Sequence, residues 1–88
     1  MAFTLKFRDP VNVKGKIAMK GESVAGFARR NEVNYSLMIE YLNCKKYPSP
    51  PTAKKIAEGL GCEIEDIFFI WTFTNVIYTI VINIIIVL

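Results

Sequence analysis

The chain has 88 residues, a net charge of +3, no histidine and two cysteines. That length allows one domain with an attached tail and a modest core, which suits a compact helical unit better than an enzyme with a deep pocket. Without histidine or a CxxC pair a structural zinc site is excluded, and Cys44 and Cys62 read as reduced thiols of a cytosolic chain that lacks a signal peptide.

The charge is unevenly spread. All eleven Lys and Arg lie between Lys6 and Lys55, against only Asp9, Glu22, Glu32, Glu40 and Glu58 over residues 1–58. Glu63, Glu65 and Asp66 follow, and residues 67–88 carry no charge. A basic front half suits a polyanionic partner such as nucleic acid.

From the amino terminus, residues 3–8 alternate apolar and polar side chains as a strand does, and Pro10 ends the pattern. This segment reads as an arm, over 1–12, either loosely packed or placing Lys6 and Arg8 on DNA phosphates. Residues 11–19 can form a first helix with Val13 and Ile17 on one face, although Gly15 weakens it by about 1 kcal/mol relative to alanine. Gly21 closes that unit. Ser23 is an N-cap for a helix over 24–30, whose Val24, Phe27 and Ala28 share a face. The small Ala25 and Gly26 would let another helix approach, and Asn31 could adopt a left-handed conformation at the turn.

Val33 stands alone between two short helices and is expected to plug the gap. Asn34 caps the next helix, over 35–43, with Met38, Tyr41 and Leu42 inward and Tyr35, Ser36, Ile39 and Glu40 more exposed. Residues 45–51 are a proline-rich loop. Ser49 then caps a helix that tolerates proline in its first turn, buries Ala53, Ile56, Ala57 and Leu60, and stops at Gly61. A last short helix over 63–68 places its acids in the first turn and Ile64, Ile67 and Phe68 inward.

Two short helices about three residues apart, the second opening with small polar and aromatic side chains, suit major-groove reading. The residues Ser23, Phe27 and Ala28, then Val33, Asn34, Tyr35, Ser36, Met38 and Tyr41, then the 48–52 loop with Ile56, Ala57, Gly59, Leu60, Ile64, Ile67 and Phe68, resemble the Cro/C1-type helix-turn-helix family of phage repressors, prophage regulators and antitoxins. The resemblance spans about residues 14–68. It implies an all-α, five-helix, lambda-repressor-like domain over 13–68 that binds double-stranded DNA as a homodimeric transcriptional regulator. The sequence shows no nucleophile–base arrangement and no histidine to serve as a base, so no enzyme activity and no cofactor are expected. An antitoxin-like or membrane-tethered interaction module that has lost operator reading is the alternative.

Carried over by position, Tyr35, Ser36, Ile39 and Glu40 contact base edges, while Ser23, Arg29, Arg30, Asn43, Lys45 and Lys46 contact the DNA backbone. Serine can donate or accept at a base, and glutamate can accept from the cytosine amino group. Departures from the family pattern fall at Leu42, where glutamate is common, at Ile39, usually polar, at Cys44, where glycine is usual, and at Glu32, where glycine or another small residue is usual.

Residues 68–88 form an uncharged run rich in Ile, Val and Phe, interrupted by Thr72, Thr74, Asn75, Thr79 and Asn83. At about 20 apolar residues it is long enough for a membrane-spanning helix. A hydrophobic tail over 69–88 would then be a carboxy-terminal anchor in a lipid bilayer, giving a cytoplasmic protein associated with the membrane. A shifted reading frame and a buried β-type dimerisation tail, suggested by the β-branched residues, are the other readings of this run.

Overall fold

The computed structural model describes residues 4–71. Five helices and two short strands follow in the order β1 (Thr4–Phe7), α1 (Pro10–Met19), α2 (Val24–Arg30), α3 (Tyr35–Leu42), α4 (Pro50–Leu60), α5 (Ile64–Ile67) and β2 (Phe68–Trp71).

Local chemistry accounts for most of the helix starts. Asp9 accepts a hydrogen bond from the Asn12 amide and Pro10 occupies the first turn of α1, where no amide donor is needed. Ser23 accepts from the Gly26 amide and Asn34 from the Leu37 amide, opening α2 and α3. At α4 the Ser49 hydroxyl bonds the Thr52 hydroxyl instead of a backbone amide. The backbone amide of Glu63 donates to the Asp66 carboxylate, 2.9 Å away, at the start of α5.

Helices α1 to α4 all end in one way. A left-handed residue follows each, namely Gly21, Glu32, Cys44 and Gly61. Its amide and the next one turn back onto the last helical carbonyls, as in Glu32 N–H to Arg29 O and Val33 N–H to Ala28 O. The left-handed residue between α2 and α3 is thus Glu32, not Asn31, whose φ is −100°.

The inward faces follow the helical spacing. Val13 and Ile17 of α1, Phe27 and Ala28 of α2, Met38, Tyr41 and Leu42 of α3, and Ala53, Ile56, Ala57 and Leu60 of α4 form one core, with Val33 plugging the α2–α3 gap. The close backbone approach is at Gly59, not Gly26: a Cβ on Gly59 would lie 2.4 Å from the Asn31 side chain.

The expectation of an all-α fold is overturned. Thr4–Phe7 pairs antiparallel with Phe68–Trp71, with Phe7 opposite Phe68 and Thr4 opposite Trp71. Alternation puts Leu5 and Phe7 in the core, and the Phe7 and Phe68 rings stack with centroids 4.6 Å apart. Residues 4–7 are therefore a packed strand and not a free arm.

The membrane reading is overturned as well. Among the described residues no helix is long and apolar enough to cross a membrane, and the uncharged run opens as strand β2, not helix. The transmembrane helix, the bilayer as partner and membrane-anchored localisation are withdrawn on that finding. Aromatic and β-branched side chains suit the pleated strand of the ribbon, and β2 finds its partner within its own chain. Residues 72–88, on which the rest of the tail reading fell, lie outside the described residues.

Candidate nucleic-acid interface

Helices α2 and α3, with residues 31–34 between them, form the helix pair on which the expected DNA contacts fall. The turn is fixed from three sides. Val33 is buried beneath it, Glu32 supplies the left-handed step, and the Asn31 side-chain amide donates to Phe27 O at 2.8 Å. Arg30 ties it to its surroundings. Its guanidinium donates to both Glu22 carboxylate oxygens, at 2.9 and 2.7 Å, and to Gly59 O at 3.3 Å, above the Phe27 ring. The paired Arg30 holds the Glu22 carboxyl below the ordinary carboxylate range, and Glu22 in turn raises the Arg30 pKa.

The side chains expected at bases and phosphates divide into two groups. Tyr35, which is 51% exposed, and Ser36 stand at the amino-terminal end of α3 in solvent, and Asn43, Lys45 and Lys46 follow its carboxy-terminal end, also exposed. Among the described residues the Arg29 guanidinium and the Lys45 ammonium have no carboxylate partner. Apart from Lys46, which lies beside Glu40, these groups are open to a ligand.

The others are engaged. Glu40 is half-buried and lies 3.4 Å from the Lys46 ammonium. Ile39 is half-buried. The Ser23 hydroxyl accepts from the Gly26 amide, and Arg30 is held by Glu22. Leu42 is in the core at 3% exposure, so an apolar residue there serves packing and offers nothing to a partner.

The sequence pattern assigned no partner to the exposed rings beside this segment. Tyr47, in the loop after α3, bonds Cys44 O at 3.1 Å through its hydroxyl, and Lys6 of β1 lies over its ring. The contact joins β1 to the loop between α3 and α4, far apart in the chain, so local spacing held no sign of it. Cys62 is half-buried with its sulfur against Ala57 O, and burial together with Asp66 raises its pKa. Among the described residues no group of His, Cys, Asp or Glu could hold a metal ion.

No family model matches the chain, and no curated protein or solved structure matches it.

Proposed function

We propose that this chain binds double-stranded DNA as a transcriptional regulator, reading bases from the exposed amino-terminal end of α3 and holding the backbone with the residues that flank it. The observation that carries the reading is the α2–turn–α3 unit. Its turn is locked by Glu32, Val33 and Asn31, while Tyr35 and Ser36 stay in solvent at the end of α3 that such a unit presents to the groove. Arg29, Asn43 and Lys45 supply donors to phosphates. Lys46 joins them, shared with Glu40. Arg30 and Ser23 contribute indirectly, by fixing the turn and the start of α2.

The test is duplex binding by the full chain across a salt series. Neutralising two phosphate contacts with Lys45→Ala and Lys46→Ala should weaken binding and make the log–log salt slope less steep by about 1.8. Unchanged affinity in the double variant, or no binding to any duplex at low salt, refutes the reading.

A further inference from the structure

Lys6 projects from β1 on the face of the ribbon that also carries Thr4, Phe69 and Trp71. Its ammonium lies 4.4 Å from the centroid of the Trp71 ring and 5.3 Å from that of Tyr47, both within cation–π range. Each ring is anchored. Trp71 sits diagonally across the two-stranded ribbon, where side chains on one face meet. Tyr47 directly follows Lys46, and its hydroxyl is bonded to Cys44 O. Among the described residues no carboxylate pairs with Lys6. A long side chain normally loses much rotamer freedom when it engages a ligand, and here the two rings have already restricted it.

Arg8, two residues on, differs. Its guanidinium donates to Glu65 O at 2.9 Å and holds β1 to α5. The two basic residues of this segment therefore have separate roles, one in packing and one with a charge that no acid among the described residues matches.

We infer that Lys6 is a preordered phosphate-binding residue, held by the Tyr47 and Trp71 rings against the loop that carries Lys45 and Lys46. It extends the DNA contact from the helix-turn-helix segment onto the β ribbon. The inference rests on the duplex binding proposed above. Tyr47 and Trp71 are positioning residues: they carry no charge and act through Lys6.

Trp71 is the chain's single tryptophan, so its fluorescence reports on the ammonium against its ring. The experiment titrates the full chain and its Lys6→Gln and Lys6→Arg variants with a short fluorescein-labelled duplex of mixed sequence. Binding is followed by anisotropy of the label and, separately, with unlabelled duplex, by Trp71 emission. Wild-type emission should change as the duplex saturates. Lys6→Gln should lose that change, flatten the log–log salt slope by about 0.9 and weaken binding up to roughly tenfold at about 0.1 M salt. Lys6→Arg should restore the slope, and unchanged thermal melts of both variants would separate the effect from folding. Wild-type binding by anisotropy with an identical slope in Lys6→Gln overturns the Lys6 assignment alone. Absence of binding by the wild type overturns that assignment together with the DNA reading.

Discussion

At Glu32 and Cys44 the backbone is left-handed, with φ of 57° and 59°. A side chain in that conformation crowds the neighbouring carbonyl, at about 1–2 kcal/mol per residue. Gly21 and Gly61 fill the same place after α1 and α4 without that cost. Glu32→Gly and Cys44→Gly should each stabilise the fold by about 1 kcal/mol, partly offset by the freedom glycine adds to the unfolded chain. Urea melts would show this as a higher midpoint at unchanged slope, and a lower midpoint in both variants would remove the argument. The family resemblance predicts glycine at Cys44 and glycine or another small residue at Glu32; the left-handed backbone is a reason for glycine at either.

The Glu22–Arg30 pair carries a pH dependence. The Glu22 pKa is lowered from its ordinary value of 4.5, first by the hydrogen bond from Arg30. A carboxylate with a depressed pKa stabilises the fold above its unfolded value, and that contribution is lost as pH falls through the folded value. The melting difference between wild type and Glu22→Gln should therefore be present at neutral pH, begin to shrink only below about 4.5 and vanish once the pH lies below the lowered folded value. A difference that stayed constant well below pH 4.5, down to full protonation of the carboxylates, would assign Glu22 a role in packing only.

Among the elements, α1 and the α2–α4 contact respond in opposite directions to the same change. Gly15 is exposed in mid-helix, and a methyl added there would have nothing within 4 Å of it. Gly15→Ala should stabilise by about 0.5–1 kcal/mol. Gly59→Ala should destabilise by about 1–3 kcal/mol, because the new methyl meets the Asn31 amide and displaces its bond to Phe27 O. Thermal melts of the two variants should move apart, and a shift in the same direction for both would contradict the packing described.

The helices were legible because their information is local. Ser23 and Asn34 marked two starts, and the apolar spacing named Val13, Ile17, Phe27, Met38 and Ile56 as core. The ribbon was not. Alternation over residues 4–7 identifies a strand and the face it buries, but a strand's partner is not written in its own spacing. Here the partner opened an uncharged run whose length favoured a helix. The candidate site was legible to the same extent. Exposure of Tyr35 and Ser36 followed from position on α3 and that of Lys45 from the loop after it, whereas the capture of Arg30 by Glu22 and of Glu40 by Lys46 depended on how loops fold back.

For the molecule as a whole, the DNA reading is a statement about where uncompensated positive charge lies. All eleven basic residues precede the acids of residues 63–66; Arg8 and Arg30 are held by hydrogen bonds, and Lys46 and Lys54 each have a carboxylate near, at 3.4 and 3.9 Å. Among the described residues, Lys6, Arg29 and Lys45 are the basic residues of the ribbon, of α2 and of the loop after α3 that remain without a carboxylate. Affinity for duplex should fall steeply with salt, and neutralising these three should change it more than neutralising Lys54, already near Glu58. Equal effects from Lys54→Ala and Lys45→Ala would mean that the charge acts as a diffuse cloud and not through placed contacts.

The ribbon has a consequence in time. Arg8 and Glu65, joined by a hydrogen bond beside it, are 57 residues apart in the chain, so the ends cannot meet cheaply until the intervening helices have condensed. Formation of β1 with β2 then belongs to the late side of the folding barrier, and its loss to the early side of unfolding. Phe7→Leu, which weakens the stacked pair with Phe68, should accelerate unfolding in stopped-flow denaturant jumps while leaving the refolding rate nearly unchanged. A comparable slowing of refolding would place the ribbon in the nucleus instead. On this account the two strands act as a latch, setting how long the helical domain stays shut and not how fast it assembles.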